Sequence, residues 1–167
     1  KATAVSTPSL ADVGIPFVVG LAPVHTAEKP ARINTPVLAT SWDEAVEKLG
    51  FSYDWETYTL CEFMYSHFQL FGCQPVIFCN VFDPSQMNAD KAANDYAVVN
   101  HRITLPFGML HGKNLVVKDG EAVLNADEDY AVLYDADDAA CIIELLASGS
   151  AYDAQALNVS GKTVKPE

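Results

Sequence analysis

Apolar positions gather into a few dense runs, and the densest spans residues 58–84, YTLCEFMYSHFQLFGCQPVIFCNVFDP. Its first half sets Tyr58, Cys61, Tyr65, Phe68 and Phe71 at helical spacing, and Leu60, Phe63, Met64 and Leu70 widen that stripe until little polar face remains. The spacing predicts a helix from Trp55 or Glu56 to Phe71, stopped by Gly72. Residues 75–82 follow without polar alternation, which predicts a strand covered on both faces. Such a helix and strand belong in the middle of an α/β layer. The rest of the chain offers few pieces to surround them, so this region is expected to pack against further polypeptide.

Upstream, residues 1–13 are small, polar and proline-containing and read as an extended lead-in. Residues 14–22, GIPFVVGLA, read as a buried strand, with Pro16 near its start or on an edge because proline cannot donate to a ladder. Three prolines make residues 23–36 a loop, and residues 36–39 read as a short strand. Ser41-Trp42-Asp43-Glu44 fits a capping box, in which the serine accepts from the Glu44 N–H and the glutamate reaches back. Ala45, Val46 and Leu49 supply the buried stripe of that helix, and Gly50 its stop.

Beyond Ser85 the pattern changes. Residues 85–96 read as a polar linker or a short helical turn. Short apolar runs then recur at 98–105, 115–118, 121–124, 130–134, 141–146 and 157–164. Asp119-Gly120 predicts a type I′ hairpin turn, and Asp135-Ala136-Asp137-Asp138 another turn. The expected fold class is α+β: an incomplete α/β layer over residues 1–90, then a small antiparallel β-sandwich or barrel over residues 91–167. The β part is expected to fold alone from residues 95–164, with the first part less self-sufficient.

Composition narrows the function. Half of the residues are hydrophobic and 19% are charged, so the chain folds, and no run reaches the roughly 18 apolar residues that span a bilayer. The formal net charge is −12, and residues 119–161 hold ten acids and no Lys or Arg. That surface disfavours nucleic acid, which needs a basic face to displace counterions, and anionic membrane. Lys1 stands where an initiator Met would, and the end at Lys165-Pro166-Glu167 adds no closing element. Both are read as boundaries within a longer protein. The four cysteines form no C-x-x-C and read as reduced, buried thiols.

Candidate chemistry is sparse. His67 reads as a core histidine bonded to backbone, and His101 and His111 as residues able to approach across a β-pair without cysteine or carboxylate at metal-ligand spacing. An EF-hand drawn from Asp127 puts Val132 and Asp138 where Gly and Glu are required, and one drawn from Asp135 puts Ala140 and Leu146 there. No G-x-S-x-G elbow and no glycine-rich phosphate loop can be drawn. The expectation is therefore no catalytic, cofactor-binding or metal-ligating residue and no enzyme activity.

Three segments in order, GIPFVVGLAPVH at 14–25, PVLATSWDEAVEKLG at 36–50 and the run at 58–84, resemble contractile phage tail sheath proteins, including those of prophage-derived particles. A fourth, ADEDYAVLYD at 126–135, looks like that family's β-sandwich insert. The resemblance implies a virion structural protein that polymerises helically around a tail tube and contracts to drive the tube through the host envelope. It implies other sheath subunits, the tube protein and the baseplate as partners, with no nucleic acid, no membrane insertion and no cofactor. It also implies assembly in the host bacterial cytoplasm and residence in the virion tail, and a possible remnant of a strand-donating arm in residues 1–13. The alternative reading is a β-sandwich adhesion module recognising glycan or protein. A third is a small-molecule α/β enzyme whose site carries no sequence signature.

Overall fold

The computed structural model describes residues 14–166, so the lead-in read for residues 1–13 lies outside the described residues. The chain is α+β, with three small sheets and two short α-helices among the described residues. The first sheet is mixed. Strand β3 (Val76–Asn80) is central, β1 (Phe17–Gly20) lies parallel to it on one side, and β2 (Pro36–Ala39) antiparallel on the other. Helix α1 (Trp42–Leu49) follows β2. Helix α2 (Thr59–Met64) runs on into a π-helical segment, Tyr65–Leu70.

Helix α1 forms for the reason its sequence predicts. Ser41 caps it, its hydroxyl accepting from the Glu44 N–H at 3.2 Å. The return arm lands one residue earlier than a capping box requires: Glu44 Oε2 accepts from both the N–H and the hydroxyl of Thr40, each at 2.8 Å. Its other oxygen takes Lys48 Nζ at 2.5 Å, one turn on. Lys48 first, then Thr40, hold this carboxyl down to about 2. Gly50 closes the helix at φ +71°, donating to Val46 O. A Cβ there would stand 2.3 Å from both Pro23 O and Thr26 Oγ1. Replacing Gly50 by Ala therefore combines a disfavoured backbone with a backbone clash. We expect a loss of more than about 1 kcal/mol, read as a lowered urea midpoint with unchanged slope.

Helix α2 starts later than its apolar stripe suggests. Asp54 organises residues 54–57 into turns, its carboxylate accepting from the Thr57 N–H and its carbonyl from the Tyr58 N–H. The Leu60 N–H then bonds to Leu21 O, tying the helix start to the end of β1. At the far end the Phe71 N–H reaches Ser66 O, a wide π-type turn. Leu60, Cys61 and Met64 are fully buried on the sheet, together with Ala45 and Leu49 of α1. The expected cover on the rest of the stripe is missing among the described residues: Phe63, Leu70 and Phe71 are exposed.

The second unit is a β-sandwich. One sheet runs β4 (Asn88–Ala97), β10 (Ala156–Val164), β6 (Leu115–Asp119), β7 (Ala122–Val123). The other runs β5 (Arg102–Pro106), β9 (Ala140–Leu145), β8 (Tyr130–Asp135). Every pairing between these strands is antiparallel. Ile103, Leu105, Cys141, Ile143 and Leu145 from one sheet share a core with Val117, Leu157 and Val159 from the other.

Three local features depart from the sequence expectation. Residues 85–96 are not a linker: β4 is the longest strand and pairs with β10 along its length. Its polar residues sit at a sheet edge, where charge blocks unwanted pairing, so the strand shows no apolar signature. A β unit begun at residue 95 would lose most of that strand. The run 98–105 is also not continuous. Asn100 and His101, at φ +52° and +60°, form a two-residue turn between Val99 and Arg102. Both positive angles make this a type I′ geometry. At the β6–β7 hairpin, by contrast, Gly120 at φ +57° occupies the first loop position and Glu121 has no positive φ. The turn follows the II′ pattern rather than I′.

The acids proved structural where they are engaged. Asp129, nearly buried, accepts from the backbone N–H groups of Asn125 and Ser150 and from the Ser150 hydroxyl, all within 2.9 Å. Those donors, the Asn125 N–H first, hold its carboxyl below the ordinary range. Asp135 accepts from the N–H groups of Asp137 and Asp138 and shapes the β8–β9 turn.

Candidate functional site

Pairing register decides which side chains share a face. Phe17, Ile77 and Leu38 stand in one row across β1, β3 and β2, and Val19, Cys79 and Pro36 in the next. Every residue of this two-row face is apolar or a thiol. None is buried: Phe17 is 55% exposed, Val19 56% and Leu38 46%. Ile15 and Val81, also exposed, flank the strands. The opposite face carries Val18, Val76, Phe78 and Ala39, which pack on α1 and α2. The sequence expectation of cover on both faces of β3 is thus met on one face only. Helices fill one side, and nothing among the described residues covers the other.

Soluble single-chain surfaces scatter large apolar residues and seldom collect them on one flat patch. The two outer edges of this sheet, on β1 and β2, have no strand partner among the described residues. Phe63, Leu70 and Phe71, along and just past the α2–π-helical segment, are further exposed apolar residues.

A seam joins the sheet–helix layer to the sandwich. His25 sits in it, 5% exposed, ringed by Tyr58 and Phe82 from the first unit and Phe107 and Tyr134 from the second. Its Nε2 lies 3.3 Å from Phe107 O. A carbonyl only accepts, so Nε2 carries the hydrogen and Nδ1 is the bare nitrogen. Nδ1 is buried with no partner. Burial above all, and the nearby His111 to a lesser degree, lower the imidazole to about 4 despite the opposing pull of the Phe107 carbonyl. The Tyr134 hydroxyl donates to Met109 O at 2.5 Å, and burial pushes that phenol upward.

Beside His25 a cleft of about 480 Å³ opens along the seam. Its wall includes Arg32, Asp83, Asn88, His111, Asn114 and Lys162 as polar groups, set among Val24, Pro30, Ile33 and Leu110.

The other histidines are placed apart. The His101 Nδ1–H donates to Tyr152 O at 2.9 Å, and the imidazole stacks on the Tyr152 ring at 3.9 Å. His111 lies edge-on to Tyr134. They flank opposite ends of β5 and do not approach across a β-pair. His67 bonds Phe63 O through Nδ1, as a backbone-satisfied histidine would, on a half-exposed rather than a core position. Among the described residues no three His, Cys, Asp or Glu gather closely enough to hold a metal ion. Two of the four thiols are buried, Cys61 and Cys141, and burial pushes each up to about 12. Cys73 is exposed, against the expectation of burial. No helix among the described residues is long and apolar enough to cross a membrane.

Sequence reading missed both the seam and its cleft. His25, Arg32, His111 and Lys162 share no spacing, and only the folded seam brings them together.

Fold and site together define an α+β protein with one open, apolar sheet face. No family model, curated protein or solved structure matches the chain.

Proposed function

We propose that this chain is a structural subunit of a contractile tail sheath, and that it works by packing against other copies rather than by chemistry. The observation that carries the reading is the uncovered face built by Phe17, Val19, Leu38, Ile77 and Cys79. An apolar sheet face in water costs free energy in proportion to its area, so it gains by association. The three resembling segments supply this layer: the first holds β1, the second β2 and α1, and the third α2 and β3. Contacts that repeat head-to-tail without closing build a filament rather than a discrete oligomer. In this reading the face meets neighbouring polypeptide of the assembly, and the sandwich stands beside it as a self-contained β unit.

Val19 is exposed on the open face, so Val19→Glu leaves the core untouched and places a charge where association would bury it. Sedimentation and negative-stain microscopy of wild type should show concentration-dependent assembly into rings or tubes. In Val19→Glu a single-copy species should replace it, with the thermal midpoint unchanged. Wild type that stays monomeric at high concentration would defeat the assembly reading, and selective binding on a glycan array would then favour an adhesion module.

A further inference from the structure

The seam cleft brings two cations onto one wall of a strongly acidic chain. The chain has 10 Lys and Arg against 22 Asp and Glu. Two of those cations, Arg32 from the loop before β2 and Lys162 from β10, stand on one concave wall. His111 and Asn114 join them from the connection between β5 and β6. Arg32 forms no ion pair among the described residues. Lys162 Nζ is held by Asn88 Oδ1 at 3.0 Å and lies 3.8 Å from Asp90 Oδ1. Asp83 is the one carboxylate on the wall, and its Oδ1 is already engaged by the Ser85 N–H and hydroxyl at 2.9 and 2.7 Å. Val24, Ile33 and Leu110 make part of the lining apolar.

We propose that this cleft binds a small organic oxyanion, a carboxylate or phosphate ester carried on an apolar body. The Arg32 guanidinium offers a planar fork that suits two oxygens of such a group, and Lys162 adds a point charge. The apolar wall takes the body. The volume falls within the roughly 300–1,000 Å³ of ordinary small-molecule sites, and a largely apolar lining with a few converging polar groups is their usual make-up. No residue of the cleft belongs to the open sheet face, so this site stands or falls separately from the assembly reading.

The test is isothermal titration of the whole chain with phenyl phosphate, benzoate, inorganic phosphate and benzyl alcohol. Phenyl phosphate or benzoate should bind saturably, with Kd of about 1 mM or below, and the stronger of the two identifies the head group. Benzyl alcohol should give no saturable heat, and inorganic phosphate should bind at least about tenfold more weakly than its phenyl ester. Arg32→Gln and Lys162→Gln should each weaken binding by about tenfold or more, whereas Lys113→Gln, outside the cleft, should not. Arg32 is exposed, so its variant should keep the wild-type melting temperature. Absence of saturable binding by either organic anion up to about 10 mM overturns the proposal. So does unchanged affinity in Arg32→Gln, or an equal loss in Lys113→Gln, which would reduce the effect to general charge.

Discussion

Replacing Asn80 by Leu should remove at least about 3 kcal/mol of stability, a large share of what a domain this size has. Asn80 ends β3 and is 2% exposed. Its Oδ1 accepts from the Ala22 N–H at 2.9 Å and from the Phe82 N–H at 3.1 Å, and its Nδ2 donates to Phe82 O at 3.0 Å. Leucine fills similar space and satisfies none of these. Two backbone donors and one acceptor would remain buried without partners, each costing about 1–3 kcal/mol. Asn80→Asp keeps an acceptor for the two N–H groups but loses the donor to Phe82 O and buries a carboxylate against that carbonyl, so it too should be less stable than wild type. Urea unfolding of the three proteins checks both losses. A loss below about 1 kcal/mol in Asn80→Leu would mean that water or local rearrangement replaces the amide. The residue matters beyond stability, because it pins the end of β1 to β3 and turns the chain at Phe82 into the seam.

Acid should weaken the fold through His25. In the unfolded chain the imidazole takes its proton near 6.5. In the fold it does so only near 4, because burial excludes the charged form and the bare Nδ1 faces no acceptor. Between these values the unfolded chain binds more protons than the folded one. Stability from this group is therefore complete above about pH 6.5 and is lost progressively as the pH falls toward 4. The full loss is about 3 kcal/mol. Around the ring stand Tyr58, Phe82, Phe107, Tyr134 and His111, and none of them is an acid that would rescue the cation. Denaturant midpoints of wild type and His25→Phe at pH 7 and pH 4 isolate the effect. The variant starts lower, having lost the bond to Phe107 O, but its decline between the two pH values should be about 3 kcal/mol smaller. Parallel declines would show that the seam opens or hydrates before His25 is charged.

Much of the layer was legible because its signals are local. A serine followed three residues later by glutamate marked the start of α1, and Gly50 its end. Dense apolar residues marked β3. The short runs separated by turn residues marked β6, β8, β9 and β10. Where reading failed, the deciding term was non-local. Strand β4 is polar because it lies at an edge, and only its pairing with β10 makes it a strand. The start of α2 moved because the Leu60 N–H found Leu21 O. The seam cleft carried no sequence signal, since Arg32 and Lys162 come from opposite ends of the chain.

The amino-acid order alone determined that this chain folds, that it is α+β, and that a greasy helix and strand sit in a three-strand layer ahead of a β unit. Periodicity, caps and turn residues act over a few positions, so they can be read without coordinates. Tertiary structure alone decided that both rows of one sheet face are left open and that a neutral histidine is locked between two units. It also decided that two cations meet on one wall. Each depends on strand register and on the docking of distant segments, which no local pattern encodes.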